Sequence, residues 1–143
     1  MADRAVQYYN EGVSFAKLGQ YAEAVASYDK AIAIKPDHAD AWSNRGLALR
    51  NLGWHAEAVD SCDKAIAIKP DLYEAWFNRG NALAQLGRHA EALASHDKAI
   101  AINPNDAIAW YNRGVSLYKL GRHAEAVASY DKAIAINPDY AGA

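Results

Sequence analysis

An all-α protein built as a stack of equivalent helix pairs is what this sequence predicts, and three observations carry it. The chain repeats at a fixed interval, each repeat holds two stretches of helical apolar spacing, and no segment reads as a strand. Pro36, Pro70, Pro104 and Pro138 stand 34 residues apart. Gly12, Gly46, Gly80 and Gly114 keep that interval, as do Gly19, Gly53, Gly87 and Gly121. Trp42, Trp76 and Trp110 continue it, with Tyr8 as the aromatic of the first copy. Such a period marks architectures in which each unit buries its apolar face on the next. Four units run over residues 5–38, 39–72, 73–106 and 107–140, and residues 141–143 begin a fifth. Threonine is absent, alanine is abundant and no segment alternates cleanly, which excludes a sheet.

The second unit illustrates the elements in order. From Ala41 to Leu52, Trp42, Arg45, Gly46 and Leu49 fall on one stripe at helical spacing. Gly53 ends this first helix, because glycine adopts the left-handed terminal conformation at little cost. From Ala56 to Ile68, Val59, Cys62, Ile66, Ala58 and Ala65 again share a side. Pro70 stops the second helix, since proline lacks the donor a continuing helix needs. Asp71 then reads as the N-cap of the next first helix, with Glu74 completing a capping box. Asp3, Asp37, Asn105 and Asp139 occupy the same column.

The spacing Trp42, Gly46, Leu49, Gly53, Ala58, Ala65, Pro70 resembles the tetratricopeptide repeat, and it recurs in every unit across residues 5–140. The resemblance implies an α-solenoid: antiparallel helix pairs stacked into a right-handed superhelix whose first helices line a concave groove. Two departures stand out. His55, His89 and His123 replace a common tyrosine, which Tyr21 keeps, and Arg45, Arg79 and Arg113 replace a common leucine.

The second helices scarcely differ between units, as expected of a packing scaffold, and the differences gather in the first helices. Columns the resemblance places on the groove read Val6, Asp40, Glu74, Ile108; Tyr9, Ser43, Phe77, Tyr111; Val13, Leu47, Asn81, Val115; Ala16, Arg50, Ala84, Tyr118; and Lys17, Asn51, Gln85, Lys119. A purely solvated face would not gather Tyr9, Phe77, Tyr111 and Tyr118, which points to a ligand with apolar or aromatic side chains. Arg50, between Asp40 and Glu74, mixes the charge at mid-groove. One groove column is constant: Asn10, Asn44, Asn78 and Asn112. Each amide donates and accepts, which matches a peptide backbone. At roughly 10 Å per unit four amides span roughly 30 Å, about nine extended residues. Two roles are open for this column, gripping a ligand's backbone or bonding to a neighbouring helix. The carboxylate clamp of chaperone-binding relatives needs lysines and arginines where Val6, Tyr9, Asp40, Ser43, Glu74 and Asn78 stand, so that mode is not expected.

Composition narrows the function classes. Lys plus Arg number 15 against 17 Asp plus Glu, leaving no basic excess for nucleic acid. No apolar run reaches a membrane span, and the N-terminal residues lack a signal peptide's apolar stretch. The single cysteine, Cys62, excludes an internal disulfide and a cysteine-based zinc site. His55, His89 and His123 recur too far apart to share a metal, and His89 and His96 lie two turns apart on one helix. His96 shares its column with Tyr28, Cys62 and Tyr130, which reads as helix packing and makes Cys62 an inert thiol. No phosphate loop appears, and Asp29, Asp63, Asp97 and Asp131 repeat beside lysines as a solvated face does. The expectation is a cytoplasmic, non-catalytic scaffold without cofactor or metal, whose partner is a protein or peptide held in the groove. The alternative is self-assembly. Beyond the last helix no unit follows, so Ala126, Tyr130, Ala133 and Ile134 are expected to form an open face that could bind another copy.

Overall fold

A computed structural model describes residues 2–142. Eight α-helices run in order: α1 Ala2–Lys17, α2 Tyr21–Ile34, α3 Ala39–Asn51, α4 His55–Ile68, α5 Tyr73–Gln85, α6 His89–Ile102, α7 Ala107–Lys119 and α8 His123–Ile136. A 3₁₀ turn over Pro138–Gly142 follows, and no strand occurs among the described residues. The fifth-unit stub thus starts as this turn, while Ala143 lies outside the described residues.

Each unit is a hairpin whose turn is set by its glycine. Gly19, Gly53, Gly87 and Gly121 hold φ between 75° and 85°. In the first unit Gly19 N–H donates to Ala16 O and Gln20 N–H to Phe15 O, the paired bonds of a Schellman ending. The other three hairpins close likewise, on Leu49, Leu83 and Leu117. The helix starts differ from the expected column by one residue. Leu72, not Asp71, caps α5 and gives no side-chain bond. His38 caps α3 through an Ala41 N–H donated to its Nδ1, and Asp106 caps α7 by accepting from Ile108 N–H. Asp3 lies inside the first turn of α1 rather than ahead of it. At α3, α5 and α7 the proline loop runs one residue further before the helix begins, so the cap falls after the aspartate column.

Within a unit, the helices meet at a glycine. A Cβ on Gly46 would stand 2.7 Å from Cys62 Sγ, and one on Gly80 2.6 Å from His96 Cε1. A Cβ on Gly12 would stand 2.5 Å from the ring of Tyr28, and one on Gly114 2.6 Å from that of Tyr130. Close approach of backbone to side chain explains the column, and Tyr28, Cys62 and His96 are fully buried. Burial pushes the Cys62 thiol up to about 12, so it holds no thiolate near neutrality.

Between units, each arginine of the column that replaces leucine joins two second helices. Arg45 Nε donates to Asp29 of the preceding unit at 2.7 Å, and its Nη1 to Ser61 of its own unit at 2.6 Å. Arg79 repeats this with Asp63 and Ser95, and Arg113 with Asp97 and Ser129. The aspartates are half exposed, so each ion pair contributes at most about 1 kcal/mol. The serines are buried and take a charged donor, the stronger part of the contact. Each arginine also lies over the tryptophan three residues earlier, whose indole N–H donates to the preceding unit's proline carbonyl. Small alanines complete the joint: Ala75 packs with Ala65, and Ala82 with Val59.

Successive first helices touch, α1 to α3, α3 to α5 and α5 to α7, whereas no two second helices do among the described residues. The stack therefore curves with its first helices on the inner side.

Candidate functional site

Among the described residues, two clefts on that inner side stand out. One, of ≈ 310 Å³, lies between units 1 and 2 and is lined by Val13, Ala16, Lys17, Leu47 and Asn51, with Tyr28 at its floor. The other, of ≈ 400 Å³, lies toward the C-terminal end and is lined by Arg50, Phe77, Asn81, Gln85, Ile108, Asn112 and Val115, with His96 at its floor. The columns that vary between units thus line the clefts, whereas the near-identical second helices contribute mainly the floor.

The clefts differ in chemistry. Tyr28 is an apolar floor, its ring set edge-on to Tyr9. Burial pushes its hydroxyl up to about 12, so it stays neutral. His96 is wholly buried with neither ring nitrogen bonded, and Nε of Arg50 is buried without a partner too. Burial lowers the His96 imidazole to about 4 and lowers the Arg50 guanidinium as well. A neutral imidazole keeps one donor and one acceptor, and an unpartnered guanidinium N–H is a strong donor. Three polar atoms thus lie under the second cleft without partners, a state that is uncommon for buried groups.

The asparagine column is not a uniform ladder. Asn44 Nδ2 donates to Tyr9 Oη at 2.8 Å and Asn112 Nδ2 to Asn81 Oδ1 at 3.0 Å, both on the preceding unit's first helix. Asn78 is buried. Asn10 is exposed, on a shallow hollow shared with Gln7, Glu11, Ser14 and Leu18. The helix-bonding role is therefore met at Asn44 and Asn112, and Asn10 stands outside the groove.

The four aromatics do not share one surface either. Phe77 lines the second cleft, beside Tyr73. Tyr9 packs on Tyr28 and His38. Tyr111 stacks with Tyr130 and Tyr140 at the C-terminal end, and the exposed Tyr118 leans on His123. Columns repeat along the chain, but the curved stack sets their members at different depths and in different partnerships.

At the C-terminal end, Ala126 and Ala133 are each 1% exposed, packed into their own unit, and so do not form an open face. Tyr130 and Ile134 are half-buried. The residue actually presented is Val127, at 57% exposure. A helix buries one stripe on its own partner and another on the next unit, and the alanines belong to the first.

No described helix is long and apolar enough to cross a membrane, and no group of three metal-ligating side chains occurs among the described residues.

Comparisons with known proteins agree with this geometry. A family model described as "TPR repeat" matches residues 12–53 and 80–121. Two described as "Tetratricopeptide repeat" match residues 39–72 and 107–140, and residues 61–94. Among curated proteins none matches. Among solved structures, MamA 41-end from Desulfovibrio magneticus RS-1 is similar at TM-score 0.89 and 24% identity, over 96% of this chain and 80% of that one. The first TPR of Spaghetti (RPAP3), bound to HSP90 peptide SRMEEVD, is similar at TM-score 0.82 and 25% identity, over 84% of this chain and 98% of that one. YrrB, a TPR protein with an unusual peptide-binding site, is similar at TM-score 0.83 and 30% identity, over 94% of this chain and 70% of that one. With four tandem helix pairs, helix-ending glycines and family matches reaching from residue 12 to residue 140, this chain belongs to the tetratricopeptide repeat family.

Proposed function

We propose that this protein is a non-catalytic interaction scaffold that holds an extended segment of another protein along its inner face. The observation that carries this reading is the second cleft, where Arg50 and His96 hold buried polar atoms without partners beneath an opening rimmed by Phe77, Asn81 and Gln85. Unpartnered buried donors cost stability, and a ligand that bonds them recovers it. The first cleft offers apolar walls at Val13 and Leu47, so a segment spanning both would place a polar or acidic side chain over Arg50 and an apolar one over Tyr28. Structural relatives that bind peptides support the reading.

Panning the whole chain against a displayed random peptide library tests it. Selected peptides should lose roughly 10-fold or more in affinity on Arg50→Ala or on Phe77→Ala, about 1–3 kcal/mol per lost contact. Equal binding by the Arg50→Ala/Phe77→Ala double variant would place the ligand elsewhere.

A further inference from the structure

Three residues depart from their columns, and all three line one cleft. Arg50 stands where the other units have Ala16, Ala84 and Tyr118. Asn81 stands among Val13, Leu47 and Val115, and His96 among Tyr28, Cys62 and Tyr130. They come from three different helices, α3, α5 and α6, and meet in the second cleft. The other units form the same helix pairs without them, so packing does not require these polar groups.

Each of the three brings a donor without a partner. Nε of Arg50 and both ring nitrogens of His96 are buried and unbonded. Asn81 accepts from Asn112 Nδ2 through its Oδ1, and among the described residues nothing accepts from its own NH2. Charge points the same way. Arg45, Arg79, Arg88, Arg113 and Arg122 each hold a carboxylate, whereas Arg50 holds none among the described residues. Asp40 and Glu74, its neighbours in the groove columns, do not pair with it. Arg50 is also the one charged side chain lining the cleft, since burial keeps the His96 imidazole neutral near pH 7.

A half-buried guanidinium without a counter-ion costs stability that an anion seated on it recovers. Three converging donors suit a group that only accepts, which is a carboxylate; a primary amide would turn its own NH2 on one of them. One guanidinium balances one negative charge, and a phosphoryl dianion would leave its second charge uncompensated. Phe77, Ile108 and Val115 supply apolar walls for the methylenes that carry a glutamate's carboxylate into the cleft. We propose that the second cleft is a glutamate pocket, in which Arg50 pairs with the side-chain carboxylate of the held segment and Asn81 and His96 donate to it. The source of that glutamate rests on the groove reading; the chemistry of the pocket is tested apart from it.

The probes are N-acetylglutamate N-methylamide, which has no terminal carboxylate, and its glutamine isostere, titrated into the whole isotope-labelled chain near neutral pH at constant ionic strength. The Nε–H resonance of Arg50 should move with the glutamate probe, at a dissociation constant at least tenfold below that of the glutamine probe. Arg50→Ala, Asn81→Val and His96→Tyr each install the residue of another unit. The first should abolish the preference for glutamate, and the other two should each reduce it severalfold with circular dichroism unchanged. Equal response to both probes, none at Arg50, or full binding by Arg50→Ala overturns the proposal. Tenfold tighter binding of N-acetylphosphoserine N-methylamide makes this a phosphoryl site and overturns it as well. Library peptides that need Phe77 yet keep their affinity when every acidic residue is changed to its amide overturn the glutamate pocket and leave the groove reading intact. A glutamate probe that binds at Arg50 while no library peptide binds supports the pocket and overturns the groove reading.

Discussion

The joints between units and the clefts above them are built from the same helices, yet the joints are copied and the clefts are not. Every inner joint has the same arginine, aspartate, serine, tryptophan and proline carbonyl. The clefts run from an apolar floor at Tyr28 to a polar, unsatisfied one at His96. The difference teaches where a repeat protein can change. A joint must fit its neighbour's copy, so a change there needs a second change next door. A cleft residue meets solvent or ligand and can vary alone. The column of Tyr28, Cys62, His96 and Tyr130 fills the space over a glycine in every unit, and two of its members, Tyr28 and His96, also floor a cleft.

The largest expected break in this comparison comes from acid. His96 is neutral in the fold, with burial holding its imidazole at about 4 against 6.5 when free. The unfolded chain therefore binds this proton more readily than the folded one. Stability is full above about pH 6.5 and falls as pH drops toward about 4, by about 2–3 kcal/mol at pH 4.5. Urea melts at pH 7.5 and 4.5 measure this. His96→Tyr, which installs the residue of units 1 and 4, should remove most of the loss. If the variant loses as much as the natural chain, His96 is not the acid-sensitive group.

Next in size is the contact beneath the column. On Gly46→Ala the added methyl would lie 2.7 Å from Cys62 Sγ and 3.2 Å from the Ala58 carbonyl, and backbone cannot swing aside. Overpacking of this kind should outweigh alanine's helix propensity, for a net loss of about 1–2 kcal/mol. On Gly114→Ala the nearest atoms to the added methyl are all in the ring of Tyr130, a half-buried side chain that can shift by a few tenths of an ångström where backbone cannot. Its denaturation midpoint should stay close to that of the natural chain, and an equal loss at both glycines would mean the end unit is as tightly closed as the middle.

How much of this was legible in the sequence follows from the same division. The helix pairs, the glycine turns and the packing role of the His96 column were all readable, because a period of 34 forces equivalent residues into equivalent joints. The variable columns that line the clefts were readable for the opposite reason. What periodicity misleads about is equivalence itself. Asn10 and Asn44 share a column, but Asn44 bonds to Tyr9 on α1 whereas Asn10 is exposed. Tyr9 and Phe77 share a column, yet only Phe77 lines a cleft. Ala126 and Val127 are adjacent, and which one faces the missing neighbour depends on helix rotation within the unit. The arginine column, an oddity when compared with the family pattern, proved to be the joint itself. Its signal was present: Asp29, Asp63 and Asp97 recur sixteen residues before Arg45, Arg79 and Arg113, and a serine recurs sixteen after.

The smallest expected effects separate arginines that join units from arginines that only decorate them. Arg79→Met keeps an unbranched stem but removes the guanidinium that lies over Trp76, strands the hydroxyl of Ser95, which is fully buried, and releases Asp63. One buried group without its partner costs about 1–2 kcal/mol, the exposed ion pair little more. Arg122 also holds a short ion pair, to Glu125, but both are exposed on one turn of α8 and join nothing. Arg122→Met should leave the urea midpoint unchanged, since such pairs are screened by solvent. Raising the salt to about 1 M should weaken neither contrast, because the part of the Arg79 contact that matters is a hydrogen bond inside the joint rather than a charge pair at its rim. If Arg79→Met and Arg122→Met melt alike, the repeated arginine adds nothing to the joint beyond its methylene stem, and the alanines and tryptophans alone hold the units together.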